Sequence, residues 1–365
     1  MTEHFALGHL CSISSGRWLP AEELTQIGTP VFGANGIIGH TSRAPNVPHP
    51  AVLLGRVGSI GAINLVTEPV YATDNALICA PGPNMDANFL SFALAVANLS
   101  SLRSASIQPL ITARAIRSVL IPRPNLEDQR RIAAQLAKER DTIDAARTAA
   151  EIRRTRVDDL RIRILREFIP LPPQGPWPWV RLDAAAEFLD SRRRPISSSE
   201  RASRIRGLDP TKLVPYFGAN GQAGWIDAYL FDEPLVLLAE DGGAFGSSRT
   251  PIAYRIDGKT WVNNHAHVLR PRPGVDVDFL GFALAIRPDI GDVISGSTRG
   301  KLNRSVAGDI QVPLPPLVAQ SRIAAELRER LAIIDAVESA IRAEREAIDA
   351  LPASLLHRAF DGLAA

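Results

Sequence analysis

Two glycine-rich segments are the first places where this 365-residue sequence could do chemistry. Gly55-Arg56-Val57-Gly58-Ser59-Ile60-Gly61 and Gly296-Ser297-Thr298-Arg299-Gly300-Lys301 both offer backbone N–H groups that can cradle a phosphate. Neither matches a nucleotide loop. The first fits neither the dinucleotide fingerprint nor the Walker pattern, and the second is one residue short, with Leu302 where the metal-binding hydroxyl belongs. The glycines read better as tight turns that carry Arg56 and Ser59, or Arg299, Lys301 and the nearby Arg304, toward the phosphates of a polyanion.

Polar clusters at the ends of β-like runs are the next candidates. Asn263, Asn264 and His265 correspond by position to Thr73, Asp74 and Asn75. Such side chains can read base edges, Asn pairing with adenine and Asp accepting from cytosine, and they can equally cap turns; both readings stand. His265 and His267 lie two apart on one strand face. No nearby cysteine or third histidine completes a metal site, so a structural role is expected and no metal is assigned. Arg192-Arg193-Arg194 opens a stretch with seven arginines between Arg181 and Arg206, set against Asp183, Glu187, Asp190 and Glu200. A solvated loop is the plain alternative, but the local excess of positive charge favours phosphate contact. Arg17, Asn35, Asn220 and Arg249, on the turns between short strands, join this set of candidate nucleic-acid contacts.

The elements that would position these residues come in two copies. Thr29-Pro30-Val31-Phe32-Gly33-Ala34-Asn35-Gly36 returns as Val214-Pro215-Tyr216-Phe217-Gly218-Ala219-Asn220-Gly221, 185 positions later. Phe89-Leu90-Ser91-Phe92-Ala93-Leu94 returns as Phe279-Leu280-Gly281-Phe282-Ala283-Leu284, and Arg131-Ile132-Ala133-Ala134-Gln135-Leu136 as Arg322-Ile323-Ala324-Ala325-Glu326-Leu327. Preserved order and a nearly constant offset mark a duplication. Each copy begins with short apolar runs and turn signals, Asn35-Gly36 and Asn220-Gly221 being the strongest. Each then enters a long helical pattern. The first starts at Asn125, an N-cap with Asp128 three residues on, and runs to about Phe168; the second starts after Pro315-Pro316 and runs to about Phe360, with a kink expected at Pro352.

Leu136, Ile143, Ala150, Val157 and Ile164 recur every seven residues in the first helix. Leu327, Ile334, Ile341, Ile348 and Leu355 do so in the second, each 191 positions further on. A heptad seam of this length predicts a coiled-coil pairing, and each helix is the obvious partner of the other. The first should extend roughly 65 Å at about 1.5 Å per residue. Residues 169–179 hold five prolines and serve as a semi-rigid connector, so the second helix should return antiparallel. Two globular units on a rod, related by a pseudo-twofold, follow as an expectation. Such a shape suits duplex DNA with two separated marks, because successive half-sites on one face are about 34–36 Å apart.

Composition neither demands nor forbids this. A net charge of +2 is low for a nucleic-acid binder, although DNA responds to the local face. Arginine dominates, with Lys138, Lys212, Lys259 and Lys301 the only lysines among 41 basic residues; this suits phosphate and guanine recognition but also follows from codon usage in a GC-rich genome. No apolar run approaches the roughly 20 residues of a membrane span. Met1-Thr2-Glu3-His4 has no signal-peptide character, and Cys11 and Cys79 read as buried thiols, so a cytoplasmic location is expected. An Asn/Asp-Pro-Pro-aromatic tetrapeptide, a Walker A loop and an acidic nuclease cluster are all missing, so no catalytic residue is assigned and any catalysis should belong to partners.

The chain resembles the specificity subunit of type I restriction–modification systems over nearly its whole length. The resemblance rests on the doubled Phe-Gly-Ala-Asn-Gly, on the 55–61 segment, and on Ile121-Pro122-Arg123-Pro124-Asn125-Leu126-Glu127-Asp128-Gln129-Arg130-Arg131-Ile132 at the helix start. The second copy, residues 312–323, lies closer to the family form Ile-Pro-Leu-Pro-Pro-Leu-x-x-Gln-x-x-Ile. It implies an α+β architecture: two α/β globular target-recognition domains separated by two long antiparallel coiled-coil helices. The expected limits are residues 1–124 and 177–315 for the recognition domains, 125–168 and 316–365 for the helices, and 169–176 for the linker. Each domain would read one half of a bipartite asymmetric site in double-stranded DNA, and the helices would dock two methyltransferase subunits. Restriction and translocase subunits join larger assemblies. No cofactor is expected in this chain; S-adenosylmethionine would belong to the methyltransferase, ATP and magnesium to the restriction subunit. One departure weakens the carry-over between copies: Ala239-Glu240-Asp241-Gly242-Gly243-Ala244-Phe245-Gly246 has no arginine matching Arg56. Two other readings remain, a coiled-coil scaffold with protein-binding ends and a nucleotide-dependent enzyme.

Overall fold

The computed structural model describes residues 3–97, 99–102, 109–294 and 300–364. It divides into two units, Met1–Ala150 with Ala343–Ala365, and Glu151–Arg342. The chain passes from one to the other inside a helix on both occasions.

In the first unit, Cys11–Ser15, Ala76–Pro81, Ala51–Gly55 and Ile63–Val66 form an antiparallel sheet in that order. Ala51–Gly55 is buried along its whole length, which explains why it reads as an unbroken apolar run and not as an alternating one. A smaller sheet orders Ile37–Thr41, Thr29–Phe32 and Tyr71–Ala72, the last two parallel. Helix Ala87–Val96 starts where the Asp86 carboxylate accepts from the Phe89 N–H at 3.0 Å. Its apolar face, Phe89, Leu90 and Leu94, enters a core shared with Ala133, Leu136 and Phe360 of the long helices. Full burial of Phe89 alone is worth roughly 1.5–3 kcal/mol.

The second unit repeats the plan. Ala186–Phe188, Ala266–Pro271, Leu235–Ala239 and Ala253–Ile256 make the main sheet. Gly221–Ile226, Val214–Gly218 and Lys259–Val262 make the smaller one, again with a parallel pair, and Phe231–Asp232 adds a strand. Helix Val277–Ala285, capped by Asp276, buries Phe279, Leu280 and Leu284.

The long helices span Leu126–Phe168 and Leu317–Ala364. At the first start, Asn125 Oδ1 accepts from the Asp128 N–H at 2.9 Å while Asn125 Nδ2 donates to the Asp128 carboxylate at 2.8 Å. Within the first unit, Ile143, Ala150 and Ile348 form one buried cluster, and Arg147 meets Asp349 at 2.7 Å. Within the second, Leu165 packs with Leu327 and Leu331, while Arg161 reaches Asp335 at 2.6 Å and Glu338 at 2.9 Å. In both, rising numbers on one helix meet falling numbers on the other, so the pairing is antiparallel, as expected from the connector after the first helix. The seam is less uniform than the repeat suggests. Leu136, Ile143 and Ala150 are buried, but Val157 and Ile164 are only half-buried, and Leu165 takes the inward place. Pro352 lies within the second helix and does not end it. No helix of the described residues is long and apolar enough to cross a membrane.

Candidate nucleic-acid interface

Four turns of the first unit converge. The Gly16 N–H donates to the Ala76 carbonyl at 3.0 Å and the Arg17 N–H to Ala72 at 2.9 Å, laying the end of the first sheet strand beside the 73–76 turn. The Thr73 N–H and hydroxyl both donate to the Phe32 carbonyl, tying that turn to the hairpin that carries Asn35. The Arg56 N–H donates to the Asn75 carbonyl at 2.9 Å, bringing in the glycine-rich segment. The approach is tight: a Cβ on Gly55 would fall 2.5 Å from the Ala34 carbonyl oxygen, and one on Gly16 would fall 2.1 Å from that of Thr73. The 55–61 segment is thus a turn built for close backbone packing.

Arg17, Asn35, Ser59, Asp74 and Asn75 therefore share one edge. All five are exposed, and none of their side chains bonds to another described residue. Arg56 stands among them half-buried, its Nε without an acceptor among the described residues. Trp18, Ile37 and Ile38 add exposed apolar surface to the same turns. The set offers donors, acceptors and methyl groups together, which is what a base-pair edge requires.

The second unit uses the same backbone scaffold with different side chains. Asn220 Nδ2 donates to the Gly242 carbonyl at 3.2 Å, the Asn263 N–H to Phe217 at 3.0 Å, and the Glu240 N–H to His265 at 2.8 Å. Asn264 is exposed, and His265 is half-buried with Nδ1 2.8 Å from Asp241 Oδ1, out of line for a hydrogen bond. Asp241 and Lys301 pair across an isolated bridge, as Val57 and Leu110 do in the first unit. Lys301 also lies 3.4 Å from Glu240.

Several candidates are spent inside the fold. Asn263 is 8% exposed, and its side-chain oxygen accepts from the His265 N–H, so it caps a turn. Arg193 donates to Glu240 at 2.6 Å and to the Ala266 carbonyl at 2.7 Å. Arg192 covers the Phe231 ring and bonds Glu233. Arg201 and Arg204 likewise lie over Tyr216 and Trp261. Of the 192–194 run only Arg194 keeps an exposed side chain that bonds no described residue. The reason is chemical: a planar fork stacks and bridges readily, so clustered arginines satisfy neighbouring carbonyls and rings as well as phosphates. Arg249 pairs with Asp159 at 2.7 Å, and Arg304 lies 3.5 Å over Phe188. Arg299 lies outside the described residues.

His267, expected to be structural, is 1% exposed and bonded through both ring nitrogens. Its Nδ1 gathers with carboxylate oxygens of Asp190 and Glu240 within 4.8 Å, a spacing that could suit a metal ion. The Arg193 guanidinium already bridges both carboxylates, at 2.6 and 3.5 Å, and supplies the positive charge there. Burial pushes the thiols of Cys11 and Cys79 up to about 12, so neither is a nucleophile near neutral pH.

Comparison with known proteins follows this geometry. A family model for the type I restriction modification DNA specificity domain matches residues 2–152 and 188–346. A putative type I restriction enzyme specificity subunit, S.HindORF215P of Haemophilus influenzae, is 32% identical over 145 residues, 40% of this chain and 35% of the relative. The matched stretches span about a third of the length of the curated relatives. A chain solved in work on complex assembly and conformational transition of the type I R-M system is 20% identical, with a TM-score of 0.73, covering 98% of this chain and 97% of that one. The HsdS subunit from Thermoanaerobacter tengcongensis is 21% identical, with a TM-score of 0.51 and coverage of 99% and 96%. At such identities these two likenesses concern the fold alone.

Proposed function

We propose, from the premise that this chain belongs to the type I restriction modification DNA specificity family, that it recognises a two-part, asymmetric site in double-stranded DNA, one part per unit. The observation that carries this is the convergent edge found in each half of the chain. The backbone bonds are the same, Arg56 N–H to Asn75 in one and Glu240 N–H to His265 in the other, whereas the side chains differ. A shared scaffold with unlike residues gives two readers of one kind and two different half-sites.

The long helices set the number of unread base pairs and carry the docking surface for two methyltransferase subunits. Ile152, Leu160, Ile333 and Val337 are exposed apolar residues on the second unit's helices, and a dry partner face would cover them. The chain itself performs no catalysis. S-adenosylmethionine belongs to the methyltransferase, and ATP with magnesium to a restriction and translocase subunit where one joins.

The test is binding of a fluorescent duplex by the chain in complex with its methyltransferase between 50 and 200 mM salt. Affinity should fall linearly on logarithmic axes, and Arg194→Ala should reduce the slope by about 1 while leaving base preference alone. A scaffold with protein-binding ends would show no DNA affinity even at low salt.

A further inference from the structure

The second unit holds a largely buried charge network with no counterpart among the described residues of the first unit. His267 Nδ1 lies 2.7 Å from the Asp190 carboxylate and Nε2 lies 2.8 Å from the Leu302 carbonyl. The ring is thus held at both nitrogens, by a carboxylate on one side and a backbone carbonyl on the other. The other Asp190 oxygen accepts from the Val268 N–H at 3.0 Å. Glu240 stands 3.7 Å from the same Nδ1, bonds Arg193 at 2.6 Å and faces Lys301 at 3.4 Å. The Phe188 ring meets the imidazole edge to face at 5.5 Å, and Arg304 lies over the Phe188 ring. Burial raises the Asp190 carboxyl, but the hydrogen bond and charge of His267, the Val268 N–H and Arg193 outweigh it and hold it below the usual aspartate range.

The duplication supplies an internal control. Ser15 faces Leu77 where Asp190 faces His267, Arg56 stands where Glu240 stands, and Leu110 where Lys301 stands. The equivalent backbone bonds form all the same: the Ile111 N–H donates to Arg56 and the Leu302 N–H to Glu240. The fold therefore does not need the charges. Withdrawing Asp190, Arg193, Glu240 and His267 from solvent costs desolvation, and what it brings is fixed geometry. That geometry ends on the side chains at the second unit's convergent edge.

We propose that His267 is a positioning residue for the second unit alone: through Asp190 and Glu240 it fixes Arg193, Lys301 and the chain at Leu302, and so sets which bases that unit accepts. The inference rests on the DNA-recognition reading above and deepens it.

Selection from fully randomised duplex DNA tests it, using the full chain in complex with its methyltransferase. Asn75→Ala, in the first unit, identifies the sequence block that the first unit reads. Glu240→Gln and the double variant Asp190→Ser/His267→Leu are then compared with the wild type. The double variant installs the pair that the first unit already uses at this place, so the fold accommodates it. Discrimination in the second block should drop about tenfold or more, with the first block unchanged and thermal unfolding little altered. An unchanged second block overturns the proposal. So does equal relaxation of both blocks, which would make the network a fold element and nothing more. A wild-type chain that selects no two-part motif overturns the recognition reading itself, and this inference with it.

Discussion

Gln129 and Gln320, 191 positions apart, each join a long helix to the globular part of their unit. Gln129 is fully buried; its side-chain oxygen accepts from the Asp86 N–H at 2.8 Å and its amide donates to the Asn84 and Pro124 carbonyls. Gln320 repeats all three bonds with Asp276, Gly274 and Pro315. Truncation would strand buried donors and acceptors, so Gln320→Ala should cost about 2–4 kcal/mol in denaturant unfolding, and Gln129→Ala a similar amount. The sequence displayed this glutamine only as a letter in the motif at the helix start. Nothing in its spacing says that a side chain must satisfy the N-cap of another helix more than forty residues earlier. The arginines show the opposite limit. Their density at 192–206 was legible, but which guanidiniums face outward depends on rings and carbonyls brought in from distant strands, as with Arg192 on Phe231 and Arg204 on Trp261. Asn263 was ambiguous for a related reason: its cap to the His265 N–H is local, but its burial depends on the distant chain at residues 217 and 218.

At the scale of elements, the long helices were the most legible part. A seven-residue period survives translation into structure because it reports a repeated contact, and Ile143, Ala150 and Ile348 meet as the period requires. Its drift onto Leu165 was not legible. A straight helix has 3.6 residues per turn, so a strict heptad slips sideways over several turns. The two hairpins were marked by Asn35-Gly36 and Asn220-Gly221, and in both the glycine takes the positive φ, not the asparagine. The parallel pairing of Thr29–Phe32 with Tyr71–Ala72 joins segments some forty residues apart and left no local mark. If the helices act as the spacer, four residues inserted between Ala146 and Glu151, with four more in the facing helix beside Asp349, should lengthen the unread gap in the modified DNA and leave both half-sites intact. An unaltered gap would refute the ruler.

At the scale of the whole molecule, the two units share a plan and differ in their electrostatics. Asp190 and Asp289 in the second unit are held below the usual aspartate range. Burial opposes this, but His267 for one and Arg287 for the other prevail. A depressed carboxylate contributes stability that is complete above the unfolded value of about 3.9 and is lost as pH falls through the folded value. In the first unit the lowered carboxylates among the described residues are Glu23 and Asp349, both on the surface, where such pairs contribute little. Acidification from pH 5 to 3 should therefore loosen the second unit first, seen as earlier loss of amide-exchange protection in Leu235–Ala239 than in Ala51–Gly55. The duplication that makes this comparison possible was plain in the sequence, as was the missing counterpart of Arg56; the charge network was not, because Glu240 and His267 meet only in the fold. The most direct test of the account is a genome-wide map of methylated positions in a host given this chain with its methyltransferase. It predicts one asymmetric motif in two blocks separated by a constant run of unread bases, and a single continuous motif, or no motif at all, would contradict it.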